Sequence, residues 1–175
     1  MGAGVAQVAA RAGIDVVLLD RDAAAADAHG LAMARAFASS GAALVLFDMD
    51  RAGVEATAAA LNAARAGSAF ALSGSITDKA AVTAACRYAV ETTGRLDVVM
   101  NNAGISGNAP SLELAEETWR HAIDVNLTGA FLVAQAAGQV MVELGGGSIV
   151  NTSSMYGVVA APERAAYCAA KAGVV

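Results

Sequence analysis

The feature that most constrains this 175-residue chain is a regular alternation of two kinds of segment. Five short apolar runs read as strands: "DVVLLD" (15–20), "ALVLFD" (43–48), "AFALS" (69–73), "LDVVMN" (96–101) and "GSIVNTSS" (147–154). Between them lie longer, alanine-rich stretches of helical character: "GLAMARAFASSG", "VEATAAALNAARAG", "DKAAVTAACRYAVETTG" and "LAEETWRHAIDVNLTGAFLVAQAAGQVMVELGG". The runs show little polar alternation, the pattern of strands covered on both faces. Such strands pair in parallel, and each parallel pair needs a crossover, usually a right-handed helical one. The expectation is an α/β fold: three layers, a doubly wound parallel sheet, one domain over residues 1–175 without a linker.

Composition narrows the partners. Hydrophobic residues make up 57% and charged residues 15%, enough apolar surface for a real core. A net charge of −5 with no cluster of Lys and Arg argues against nucleic acid, because phosphate neutralisation needs concentrated cations. No uninterrupted apolar run reaches the ~18–20 residues a membrane span requires, and no basic segment leads into an apolar one at the start. Cys86 and Cys168 fit no metal spacing and read as reduced thiols, so the expected location is the cytoplasm, with no membrane and no metal.

A repeat occupies the first fifty residues. "GAGVAQVAARAGIDVVLLDRD" (2–22) aligns without gaps on "GLAMARAFASSGAALVLFDMD" (30–50), Gly2 falling on Gly30 and Asp20 on Asp48. Each copy is a glycine opening a helix, a second glycine ending it, then a strand closing in Asp. That is half of a mononucleotide-binding unit, in which pyrophosphate rests on a helix N-terminus and an acid about 20 residues on holds the adenosine ribose. Gly30 and Asp48 have that spacing. Asp48 favours NAD; Arg51 keeps NADP open. The phosphate turn itself is eroded: before Gly30 the stretch "RDAAAADAH" (21–29) has alanine where glycines permit close backbone approach, and Asp20, Asp22 and Asp27 bring like charge to a dianion.

The second half carries a denser set of signals. "NNAG" (101–104) follows a strand directly, which puts its backbone at the carboxyl edge where ligands bind in doubly wound sheets. "DVNLTGAF" (124–131) places Asn126, a poor helix former, inside a long helix, where it either caps a kink or serves a site. "IVNTSS" (149–154) ends a strand in hydroxyls. Tyr167 and Lys171 then stand one helical turn apart on one face. A free phenol titrates near ~10, and a neighbouring ammonium favours the phenolate by roughly 1–3 units, toward the range useful for proton transfer. Tyr88 and Tyr156 have no lysine four residues on.

Taken in order, "NNAG", "DVNLTG", "IVNTSS" and "YCAAKAG", with Tyr167 thirteen positions after Ser154, resemble the short-chain dehydrogenase/reductase family over about residues 30–175. The resemblance implies a Rossmann-like sheet and an NAD(P)-dependent oxidoreductase interconverting a secondary alcohol and a ketone. It implies Tyr167 as general acid/base, with Lys171 lowering its pKa and holding the nicotinamide ribose. Ser154, not Ser153, would bind the carbonyl oxygen, and Asn126 would hold a water of the proton relay. Asn101, Ala103 and Gly104 would line the cofactor, with Gly30 at the phosphates and Asp48 on the adenosine ribose. Where the family places an adenine-contacting Asp, this chain has Ser75. The family continues beyond the Lys171 helix with two further strands and a lid, so the sheet is expected to be incomplete at its C-terminus.

Residues 1–22 resemble part of the NAD-binding domain of 3-hydroxyacyl-CoA dehydrogenases, entered midway through its glycine motif. "VVLLD" would then take the central slot of the family's first strand, for a strand order 3-2-1-4-5. Three readings stay open: a homo-oligomeric enzyme acting on a small alcohol or ketone; a catalytically inactive fragment self-associating through an exposed sheet edge and helices; and a nucleotide-binding module without chemistry.

Overall fold

A computed structural model describes residues 16–19 and 29–175, with 16–19 and 29–30 described by their backbone alone. Five strands form one sheet: β1 (Val16–Leu19), β2 (Leu44–Asp48), β3 (Ala69–Ser73), β4 (Val98–Asn101) and β5 (Ser148–Asn151). Their order is β3-β2-β1-β4-β5, and all four pairings are parallel. The expected order is therefore the observed one, with Val16–Leu19 in the central slot between β2 and β4. The remainder of the 1–22 repeat copy, including Gly2, Asp20 and Asp22, lies outside the described residues, as do Ala23, Ala24, Asp27 and Ala28.

Alternate residues of β2 and β4 feed two separate cores, because successive side chains leave a strand on opposite faces. Val45, Phe47 and Val99 join Val82, Ala85, Ala89, Val133, Ala136, Ala137 and Val140 on one face. Leu44, Leu46, Val98 and Met100 join Ala34, Phe37, Val54, Ala58 and Leu61 on the other. The first face is covered by α3 (Lys79–Thr93) and α5 (Ala130–Glu143), the second by α1 (His29–Ser39) and α2 (Arg51–Ala64). Burial on both faces is why these strands read as unbroken apolar runs rather than as alternating ones.

Several boundaries differ from the sequence expectation, and two of the differences have a visible physical reason. Helix α2 starts at Arg51, not at Val54: Asp50 takes the extended N-cap conformation, and Gly53, lacking a Cβ, leaves room for the Asp50 carboxylate over the first turn. Strand β5 stops at Asn151, not Ser154, because its partner β4 ends at Asn101, whose carbonyl accepts the Thr152 N–H at 2.9 Å. With no ladder beyond that bond, Thr152–Ser154 turn away from the sheet toward a 3₁₀ turn, Met155–Gly157. The long helix is not uniform. It runs as α4 (Glu116–Ile123), a π-helical segment Asp124–Gly129, then α5, before α6 (Ala165–Val174) closes the described chain.

By length and composition the span Glu116–Glu143 could cross a membrane, with a mean hydropathy of 1.4 over its most apolar 18 residues. In this fold Val133, Ala136, Ala137, Val140 and Met141 of that span are buried, and Lys79 of α3 donates to Gln135 at 3.0 Å.

Candidate active site

The carboxyl edge of β4 and β5 is tied together by side-chain amides. Asn101 is buried and donates from Nδ2 both to the Asn151 Oδ1, its register partner in β5, at 3.0 Å and to the Ala130 carbonyl at 2.9 Å. One residue thus fixes the sheet edge to the start of α5. Ala103, also buried, and Gly104 follow in the extended loop. A Cβ on Gly104 would come within 2.6 Å of the Asn126 Oδ1 and 3.5 Å of the Lys171 Nζ. Only bare backbone fits there, directly against both polar side chains.

Asn126 sits in the π-helical segment and is 1% exposed. Its Oδ1 accepts the Ile105 N–H at 3.0 Å, while Nδ2 donates to the Ile105 carbonyl at 2.8 Å and the Ala122 carbonyl at 2.9 Å. Both amide hydrogens are spent on backbone. A single wide turn inside an α-helix is a recurrent feature of functional sites, and here it coincides with the residue whose low helix propensity stood out in the sequence. Asn126 does not cap the helix end; it latches the loop after β4 onto the helix.

Lys171 is 4% exposed, and its ammonium donates to the Thr152 carbonyl at 2.7 Å. Burial disfavours the charged form and pushes its pKa below the usual lysine value. The same ammonium lies 5.7 Å from the centre of the Tyr167 ring. Tyr167, half-buried, packs edge-to-face against Tyr156, with ring centres 6.4 Å apart. Helix α6 is held at its far side by Ser153, whose Oγ donates to the Lys171 carbonyl at 2.8 Å. Gly157 completes the clamp: a Cβ there would stand 2.7 Å from that carbonyl oxygen.

Two neighbouring serines are distinguished by these bonds. Ser153 has its hydrogen committed to Lys171. Ser154, which caps the 3₁₀ turn, accepts the Tyr156 N–H at 3.2 Å, leaving its own hydroxyl hydrogen available to a ligand. Thr152, Ser153, Gly157 and the Ile105 backbone were not among the residues singled out in the sequence. The signal for them was a serine and threonine run leading to a glycine just past the strand.

The other end of the sheet carries the remaining expected residues. Asp48 closes β2 opposite Ser73 of β3, and its Oδ1 accepts the Asp50 N–H at 2.7 Å. Arg51 is exposed and lies 3.8 Å from Glu55. Ser75 bonds the Thr77 hydroxyl at 2.8 Å and accepts its N–H at 3.2 Å, shaping the turn into α3. Gly30 lies in the first turn of α1. Burial raises the Cys86 thiol pKa to about 11, and Cys168 is likewise a free thiol. Among the described residues no three His, Cys, Asp or Glu side chains converge as metal ligands.

Residues 23–175 match the model of the short chain dehydrogenase family. The chain belongs to the short-chain dehydrogenase/reductase family of oxidoreductases. It is 43% identical over 95 residues to a D-threitol dehydrogenase of Mycolicibacterium smegmatis, covering 54% of this chain and 36% of that protein. To the 3-oxoacyl-acyl-carrier-protein reductase FabG of Thermotoga maritima it is 44% identical over 86 residues, covering 49% of this chain and 35% of that one. The matched segments thus span about a third of these curated relatives.

Among solved structures, an NAD+-bound xylitol dehydrogenase superposes with a TM-score of 0.82 at 32% identity, over 91% of this chain and 60% of that one. An actinorhodin polyketide ketoreductase variant with NADPH gives 0.82 at 30% identity, over 92% and 61%. A short chain dehydrogenase from Mycobacterium smegmatis gives 0.84 at 34%, over 92% and 67%.

The residues present suit a nicotinamide dinucleotide. The carboxyl edge offers a bare-backbone cradle at Gly104, a buried ammonium with two N–H groups beyond the one given to Thr152, and a carboxylate closing β2.

Proposed function

We propose that this chain carries the nicotinamide site of an oxidoreductase that interconverts a secondary alcohol and a ketone. The observation that carries the reading is the placement of Lys171: buried, anchored on the Thr152 carbonyl, and 5.7 Å from the Tyr167 ring. A phenol hydroxyl on a ring with an ammonium anchored beside it is a group able to pass a proton to and from a substrate oxygen. In the reducing direction Tyr167 gives its proton to the ketone oxygen; in the oxidising direction the phenolate takes the alcohol proton. Ser154 donates its uncommitted hydrogen to the same substrate oxygen and stabilises the developing charge.

Reduced nicotinamide, when bound, supplies the hydride that the carbonyl carbon receives. Asn101, Ala103 and Gly104 would line its cradle, and the two remaining Lys171 donors would serve its ribose. Because the Asn126 side chain is spent on Ile105 and Ala122, a relay water held by this residue would sit on its main-chain carbonyl. Asp48 would accept the adenosine ribose hydroxyls, which favours NAD over NADP, with Gly30 at the phosphate end.

Titration of NADH into the purified chain, followed by nicotinamide fluorescence and then by absorbance with a ketone panel, tests the reading. Saturable binding and turnover are expected, with Tyr167→Phe lowering turnover by about 10²–10⁴-fold at unchanged binding. Absence of NADH binding, or full activity in Tyr167→Phe, would overturn it.

A further inference from the structure

Arg164 is the one arginine among the described residues that is withdrawn from solvent; Arg35, Arg51, Arg65, Arg87, Arg95 and Arg120 are all exposed. Its side chain makes no ion pair or hydrogen bond with the described residues, while its carbonyl accepts the Cys168 N–H at 2.8 Å. Its guanidinium lies over the Tyr156 ring, 5.3 Å from the centre. Tyr156 in turn packs edge-to-face on Tyr167 and gives its N–H to Ser154. The guanidinium carbon and the Tyr167 ring centre are therefore no more than about 12 Å apart, the two separations laid end to end.

The backbone that places Arg164 is held in an unusual conformation. Glu163 has φ +61°, in the left-handed region that non-glycine residues seldom adopt, and its carbonyl accepts the Ala109 N–H at 3.0 Å. Such conformations persist only where the surroundings impose them, and they cluster at ligand sites. That bond joins the loop after β5 to the loop after β4, the two segments that flank Tyr167 and Gly104. Glu163 itself makes no ion pair with its neighbour. A guanidinium stacked on an aromatic face keeps its edge donors in a planar fork that matches a carboxylate. Met155, Val158 and Val159 lie nearby in sequence with exposed apolar side chains.

We infer that Arg164 is an anion-recognition residue at the mouth of the proposed site, and that the ketone substrate is a short oxo acid. Its carboxylate pairs with the Arg164 fork while its carbonyl meets Tyr167 and Ser154. The carboxylate takes no part in the redox step: the carbonyl carbon gains hydride, the oxygen gains the Tyr167 proton, and the acid is unchanged. This rests on the oxidoreductase reading above and adds the substrate class to it.

The test uses 4-oxopentanoate and its neutral isostere 4-oxopentanamide, with binding to the 175-residue chain measured calorimetrically and turnover measured with NADH. The oxo acid should bind roughly tenfold tighter than the amide, the scale of one charge-assisted bidentate contact. Arg164→Gln should erase that preference by weakening the acid alone, and Arg164→Lys should restore part of it. Circular dichroism of both variants checks that α6 is intact. Equal binding of acid and amide, or equal weakening of both in Arg164→Gln, would overturn the inference. The two readings fail separately. Arg164-dependent acid binding without any turnover sinks the oxidoreductase and keeps the anion site, whereas turnover indifferent to the carboxylate does the reverse.

Discussion

The two ends of the sheet's carboxyl edge are built differently. At the β4–β5 end, Asn101, Asn126, Ser153 and Lys171 all bond backbone groups of other elements, and Gly104 and Gly157 are small because carbonyl, amide or ammonium atoms press on them. At the β2–β3 end, the Asp48 carboxylate accepts the Asp50 N–H two positions on, Ser75 bonds Thr77, and Arg51 reaches one turn along its own helix. The site side chains named at the first end reach far along the sequence, and those at the second include short-range bonds within their own turns. Asn126 and Lys171, both placed in the proposed chemistry, thus also help lock α6, the π-helical segment and the post-β4 loop together, whereas the Asp48 carboxylate proposed for the adenosine ribose accepts an N–H of its own turn. Chemistry and fold should fail together at one end and separately at the other.

The sharpest way to break this contrast is Asn126→Ala. It strands the Ile105 N–H and carbonyl and the Ala122 carbonyl in a buried site, so a loss of about 3 kcal/mol is expected. That is roughly 6–12 °C in melting temperature for a chain of this size, accompanied by loss of turnover. A variant that melts like the parent would mean the latch is not what holds the loop. Gly157→Ala comes next. Its Cβ meets the Lys171 carbonyl, a backbone atom that cannot swing aside, so strain of about 1–3 kcal/mol should appear together with reduced kcat.

At the other end, Asp48→Asn keeps the acceptor for the Asp50 N–H. Unfolding free energy should fall by less than about 1 kcal/mol, well short of the Asn126→Ala loss, while NADH affinity falls by roughly tenfold, the loss of one charged hydrogen bond. A large stability loss here would erase the difference between the two ends.

The smallest effect is a pH dependence. Because burial lowers the Lys171 pKa, the unfolded chain binds the proton more tightly, and the penalty is full below the folded-state pKa. Stability relative to Lys171→Met should therefore rise as pH climbs toward the unfolded lysine value near ~10.4 and level off above it. Denaturant midpoints of the pair between neutral and strongly alkaline pH read this directly; a parent chain that loses stability relative to Lys171→Met as pH rises would reverse the sign.

Much of the fold was legible because burial on both sheet faces writes itself as unbroken apolar runs. Leu44, Val45, Leu46 and Phe47 are all buried, yet they feed opposite cores. Ends were less legible. That β5 stops at Asn151 follows from where β4 stops, a fact about a partner fifty residues away. The spacing of Tyr167 and Lys171 put both on one helix face, but it said nothing of Thr152, whose carbonyl anchors the ammonium, or of Ser153, whose hydroxyl holds the helix. Tyr156, set aside because no lysine follows it, turned out to touch Tyr167 and to carry Arg164.

By itself, then, the sequence determined the layer order, the strand slots and the family, because periodicity and motif order are properties of neighbours along the chain. Only the tertiary structure decided which hydroxyl of "TSS" keeps its hydrogen, where the lysine charge is buried, and which arginine lies over a tyrosine ring. Those depend on hydrogen bonds closed across 18 to 21 residues, and no local pattern records which donor meets which acceptor once the helices are packed.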